Sequence, residues 1–133
     1  MKQFKTVYLP VLLATIWISM SEFIRNQFIL NSLWTKHYKE LGLTFPSGPA
    51  TGAGWGIWSL MFAITIFIIA KKFTLWETTF LSWFIGIAMM WLVLGNLAVL
   101  PHMLILYALP LSILESFIAT LIVKKFQKIE ATN

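Results

Sequence analysis

Residues 54–70 read GWGIWSLMFAITIFIIA, the link Lys71-Lys72-Phe73-Thr74 follows, and residues 78–100 continue as TTFLSWFIGIAMMWLVLGNLAVL. Neither run contains Asp, Glu, Lys or Arg. A bilayer core of about 30 Å takes about 20 mostly apolar residues in a helix rising about 1.5 Å per residue. Each run approaches that length, and the short link makes them antiparallel neighbours. Working outward, Pro101-His102 leads into another apolar run from Met103 to Val123, and an earlier one covers Thr6 to Ile24. The predicted fold is all-α, an integral membrane bundle of four transmembrane helices. It forms a single transmembrane domain over 1–133, with spans at about 6–24, 54–70, 78–100 and 103–123 and one long loop at 25–53.

Composition agrees. Hydrophobic residues make up 59% of the 133 positions and charged residues 11%, against about 45–50% and about 25% in soluble domains. A soluble core of this size could not hide so much apolar surface. Disorder, which needs low hydrophobicity, is excluded. With no Cys in the chain, so are disulfide scaffolds and thiol chemistry. If both termini lie inside, Lys2, Lys5, Lys71, Lys72, Lys124, Lys125 and Lys128 face the cytoplasm, and Arg25, Lys36 and Lys39 face out. The positive-inside bias favours that orientation, that of a bacterial inner-membrane protein with cytoplasmic N and C termini. The net charge of +5 is then a signal of topology and of attraction to anionic lipid. The lipid bilayer is the expected partner and nucleic acid is not, because no basic stripe with interleaved aromatics stands outside the spans.

The loop is more than a linker. Phe28, Ile29, Leu30, Leu33, Trp34, His37, Tyr38 and Leu41 recur at spacings of three and four, with Asn31, Lys36, Lys39 and Glu40 on the other side. That pattern predicts an amphipathic helix, with Gly42 as its C-terminal stop. It either lies on the outer membrane surface or caps the bundle, or it forms a lid over a cavity opening outward. Leu43 to Gly54 is rich in Pro and Gly and reads as extended and turn-like.

Lipid offers no hydrophobic drive between helices, so small and polar residues mark contact faces. Thr15, Ser19 and Glu22 form such a stripe in the first span. Gly52, Gly56, Ser59 and Ala63 form one in the second, Ser82, Gly86, Met89 and Asn96 in the third, and Ala108, Ser112, Glu115, Ser116 and Ala119 in the fourth. Gly52 and Gly56 have the GxxxG spacing that permits close backbone approach. Of the seven Trp, Trp76 sits at an interfacial position, Trp34 in the loop and Trp55 at the start of the second span. Trp17, Trp58, Trp83 and Trp91 lie deeper, as packing and belt residues or as walls of a pocket for a flat apolar ligand.

Glu115 is the residue that lipid penalises most. An ionisable group at mid-span costs roughly 2.5–3.5 kcal/mol on insertion scales, so it must face the bundle or a wet cavity. Pro110, five residues earlier, removes a backbone donor and predicts a kink. The acid is either structural glue or a functional carboxyl group. Counting inward from residue 103 puts it about 3 Å past the midplane, level with Thr15, Ala63 or Ile64, and Gly86. No Lys or Arg falls at that level, so a buried salt bridge is not expected and a neutral acid or water-linked site is. Glu22, Arg25, Asn96 and His102 should gather separately at the outer end, with His37 above them, and Glu22 can pair with Arg25 three residues on. The two His and one Glu have no ligand spacing, so no metal site is expected.

Two resemblances follow from the loop. Phe28, then Trp34-Thr35-Lys36, then Leu41-Gly42-Leu43 resembles a family of small four-helix bacterial membrane proteins of unknown function, which implies a four-helix bundle. Tyr38, Leu41, Phe45-Pro46 and Pro49, followed by Gly56-Ile57-Trp58-Ser59-Leu60-Met61-Phe62, is similar to the first loop and second helix of the tryptophan-rich translocator protein family. That likeness implies binding of porphyrin- or sterol-like ligands, although this chain has four spans where that family has five.

The functional expectation is a small polytopic membrane protein that binds or transports a small molecule or ion at a polar site centred on Glu115. Ser112, Trp58, Trp83, Trp91 and Asn96 complete that candidate site, and Glu22, Arg25 and His102 form the outer polar cluster. The alternative is a non-catalytic scaffold, either a homo-oligomer or an accessory subunit with a membrane-protein partner. No Asp is present and no catalytic set stands at a workable spacing, so an enzyme is not expected.

Overall fold

The computed structural model describes Met1 and residues 3–131; Lys2, which the charge count assigned to the cytoplasmic side, lies outside the described residues. The described residues are mainly helical, with no strand among them, and four helices are long and apolar enough to cross a membrane. These are α1 (Phe4–Ile29), α3 (Pro49–Ala70), α4 (Leu75–Asn96) and α5 (His102–Ala131), with the short α2 (Asn31–Glu40) after the first. The spans at 6–24, 54–70 and 103–123 each lie within one of them, whereas that at 78–100 runs past α4 into the turn after Asn96. Helix α3 begins at Pro49, inside the stretch read as extended, because Pro49 sits at its first turn. Helix α1 packs between α3 and α5, α4 packs against α3 and α5, and α3 touches α5 across the middle. One end of the bundle carries α2 and the α4–α5 connection; the other carries the Lys71-Lys72 turn.

Local signals set the ends. Gly48 precedes Pro49 at the first turn of α3, where a missing N–H costs nothing. Thr74 and Glu77 form a reciprocal capping box that starts α4. Helix α2 stops at Gly42, as its sequence predicts. Gly42 has φ of +71°, and the N–H groups of Gly42 and Leu43 donate to Lys39 and Tyr38 carbonyls at 3.0 and 2.8 Å, which closes a Schellman turn. Helix α4 ends on the same motif, with Ala98 at φ of +61° and Ala98 and Val99 donating to Gly95 and Leu94 at 3.0 and 3.1 Å. The α3–α4 turn is tied down from far away: Lys124 Nζ donates to the carbonyls of Ala70 and Phe73, and Gln127 Nε2 donates to Phe67 at 3.2 Å.

Among the described residues three stretches are wound more widely than an α-helix, Phe4–Tyr8 and Ile24–Ile29 in α1 and Phe84–Ala88 in α4, and the latter two decide which side chains face inward. A π-type turn inserts one residue and rotates everything after it. The buried face of α1 therefore steps Ala14, Ile18, Glu22, Arg25, then Leu30; that of α4 steps Ser82, Ile87, Trp91. This corrects the third-span stripe. Ser82 is buried, but Met89 and Asn96 are exposed, because the wide turn carries them off the contact face. On α5 no wide turn intervenes, and Ala108, Ser112, Glu115, Ser116 and Ala119 are all buried as expected.

The second-span stripe divides. Ser59 and Ala63 are fully buried. A side chain added at Gly52 or Gly56 would meet nothing, so this spacing is not a site of close helix approach in the fold. The close approach is at Gly86, where an added methyl would collide with the Phe62 ring of α3. Many hydroxyls on these stripes bond back to their own helix: Thr15, Ser59, Thr79, Ser82 and Thr120 all donate to the carbonyl four residues earlier. They hold the helices together by being small more than by bridging them.

Candidate functional site

The mid-span acid and the end-of-helix pair form one network. Arg25 Nη1 donates to Glu115 Oε2 at 3.1 Å, and Arg25 Nη2 is ion-paired with Glu22 Oε1. All three residues are buried, with relative exposures of 4% for Glu22, 3% for Arg25 and 0% for Glu115. Asn26 Nδ2 donates to Glu22 Oε2 at 2.9 Å, and Trp34 Nε1 on α2 donates to Asn26 Oδ1 at 2.9 Å. The chain of contacts thus runs from the centre of α5 through α1 to the loop helix.

The expectation of no buried salt bridge is overturned by the Arg25–Glu115 contact. Along the backbone Glu115 is met by Trp17 of α1, whose Nε1 donates to its carbonyl at 3.0 Å. What the axial count omitted is side-chain direction. A helical side chain leans toward the N-terminus of its own helix. Helices α1 and α5 run antiparallel, so Arg25 leans into the bundle while Glu115 leans toward the loop end. Glu115 Oε1 and Ser116 Oγ make no hydrogen bond among the described residues.

Above this network lies a cavity of about 660 Å³. Glu22, Arg25 and Ser19 form its charged and polar floor. Trp34 and Tyr38 of α2, Phe45 of the following segment, Trp55 of α3 and Trp91 of α4 form aromatic walls. Gly52 and Gly56 line the α3 side, and their missing side chains keep that wall open. Phe45 is folded back by the Gly42 turn, so that its ring stacks on Trp34 at 5.6 Å and meets the edge of Tyr38 at 5.3 Å. Helix α2 is held in place by Trp34 and by His37, whose Nε2 donates to the Ala98 carbonyl at 2.8 Å.

The predicted site residues therefore separate. Of the set drawn around Glu115, Trp91 reaches the cavity. Ser112 accepts from Trp83 Nε1 at 2.9 Å, and Trp58 packs on Phe62 with ring centroids 5.1 Å apart. Glu115 is sealed behind Arg25, and Asn96 is exposed. Of the outer cluster, Glu22 and Arg25 form the floor while His102 is exposed and does not line it. Sequence reading missed the pairing of Trp34 and Tyr38 with Phe45. The signal was present as rings four residues apart, then a Gly stop, then a ring before Pro46. The described residues hold no group of three His, Cys, Asp or Glu that could bind a metal. No protein-family profile, curated protein or solved structure matches the chain.

Proposed function

We propose that this chain is an integral membrane protein that binds a small molecule in the cavity between α1, α2, α3 and α4. The observation that carries the reading is the cavity itself, of about 660 Å³ with aromatic walls over a buried ion network. Ligand pockets run from about 300 to 1,000 Å³, mostly apolar with a few fixed polar groups, and this one fits that description. Membrane insertion is supported by the outward faces of the long helices, which expose Leu12, Ile16, Ile57, Ile68, Phe84, Leu92, Leu106 and Leu114. The lysine distribution supports a cytoplasmic Lys71-Lys72 end and a cavity on the far side of a bacterial inner membrane. Tyr38, Phe45, Pro46 and Gly56, which carry the likeness to the tryptophan-rich translocator family, all line the cavity. They support a binding role on the same ground.

The test is Gly56→Phe, which fills the cavity from a position with free space. A ligand panel is screened by thermal unfolding of the detergent-solubilised protein. At 100 times its Kd, a bound ligand adds about 2.7 kcal/mol of stability. The expected result is one or more compounds that stabilise the wild type and leave Gly56→Phe unmoved. Equal shifts in both proteins would remove the cavity as the site.

A further inference from the structure

The polar groups of the cavity identify a class of occupant, given the reading of the cavity as a ligand site. Its two charged residues, Glu22 and Arg25, are paired with each other, so their charges cancel. No Lys or His lines it among the described residues. A charged ligand therefore finds no unpaired counter-charge there, and would leave water for a largely aromatic space. The acceptors of the floor are engaged as well. Glu22 Oε1 receives Arg25 and Oε2 receives Asn26, whose own Oδ1 receives Trp34.

The donors are not all engaged. A guanidinium carries five N–H groups, and Arg25 uses Nη1 on Glu115 and Nη2 on Glu22. Its Nε has no hydrogen-bond partner among the described residues, and neither has Nε1 of Trp55 or Trp91. Arg25 and Trp91 are only 3% and 8% exposed. Yet neither nitrogen is among the buried side-chain atoms shut off without a partner, which are Glu115 Oε1 and Ser116 Oγ. Both residues line the cavity, so these N–H groups open on it. Indole and guanidinium N–H groups donate and cannot accept. The Gln27 amide and the lining hydroxyls serve either way, so the fixed polar groups call for an acceptor without a charge. The ring faces of Trp34, Tyr38 and Phe45 supply the apolar remainder. We propose that the cavity takes an uncharged, ring-bearing compound whose polar group is a carbonyl, received by the N–H groups of Arg25, Trp55 and Trp91.

The test uses the full chain in micelles and four probes of shared shape. They are benzophenone, the alkene in which methylene replaces its carbonyl oxygen, and benzophenone bearing a para carboxylate or a para trimethylammonium group. Binding is read by titration calorimetry, with Gly56→Phe as the background for micelle partitioning. Benzophenone is expected to bind about tenfold tighter than the alkene, one tenfold step being about 1.4 kcal/mol, and both charged derivatives more weakly than benzophenone. The double variant Trp55→Phe with Trp91→Phe keeps the rings, removes two donors and leaves the ion network untouched. It should lower benzophenone affinity about fivefold, the effect of a lost hydrogen bond or two, and leave the alkene unchanged. Equal or tighter binding of the alkene or of either charged derivative in the wild type, lost in Gly56→Phe, overturns the uncharged acceptor and leaves the cavity as a ligand site. Full retention of the ketone preference in the double variant overturns the donor set and the proposal with it. Failure of all four probes to bind above the Gly56→Phe background, in protein whose helicity is intact, overturns it as well. If a broad ligand panel also fails to separate wild type from Gly56→Phe, the ligand-site reading falls too.

Discussion

Arg25 and Glu115 are 90 positions apart in the chain and meet at 3.1 Å, joining the first long helix to the last. Because Arg25 also holds Glu22, one guanidinium keeps two buried carboxyl groups from facing each other bare. Replacing a buried ion pair with apolar groups can be neutral, but removing one partner costs about 3–5 kcal/mol. Arg25→Met is therefore expected to destabilise by that amount. Glu115→Gln keeps an acceptor for Arg25 and removes charge, and should cost less than about 2 kcal/mol. Unfolding by SDS titration in mixed micelles measures both; the reverse order would remove Arg25 as the centre of the network.

Gly86 gives a second prediction. The Phe62 ring lies where a Gly86 methyl would be, and it is backed by Trp58, so it has no free direction of retreat. Gly86→Ala should destabilise by about 1–3 kcal/mol through overpacking, and Phe62→Leu in the same chain should recover part of it. Additive losses in the double variant would show that the two residues do not share the space.

Ala98 sits in the left-handed region at φ of +61°, which for a residue with a Cβ costs about 1–2 kcal/mol. Glycine adopts it freely but loses more chain entropy on folding. Ala98→Gly is expected to gain about 0.5–1 kcal/mol net, seen as a higher unfolding midpoint. The Ala98 carbonyl holds His37, so the variant should keep α2 in place; a loss of stability would place the strain elsewhere.

Lys124 provides a fourth. Its ammonium closes the α3–α4 turn by bonding the carbonyls of Ala70 and Phe73. Lys124→Met should leave those groups unpaired at a cost of about 1–2 kcal/mol. Hydrogen exchange should rise at residues 68–75 ahead of the rest of the chain. Uniform exchange across all helices would count against a local role.

The sequence reading located the four long apolar helices because hydropathy over about 20 residues is a strong signal, and it located the α5 face because the helix stays α-helical from Ala108 to Ala119 even through Pro110, where a kink was expected. It placed the end of the first helix at Ile24, since Arg25 looks like a boundary charge, whereas the helix runs on to Ile29. It put Met89 and Asn96 on the bundle face because a wide turn at Phe84–Ala88 leaves no mark in composition. The cavity was partly legible. Trp34 and Tyr38 stand out as rings at helical spacing, but Phe45 joins them through the left-handed Gly42. Arg25 and Glu115 were assigned to separate clusters because depth was counted along backbones, and their side chains lean toward each other across antiparallel helices.

The Lys124 contact also bears on how the molecule is assembled. The turn between α3 and α4 is finished by a side chain that emerges from the ribosome 54 residues after Ala70. That hairpin is made with its bend still open, and the last helix clasps it shut. A chain interrupted before position 124 is left with an unlatched turn.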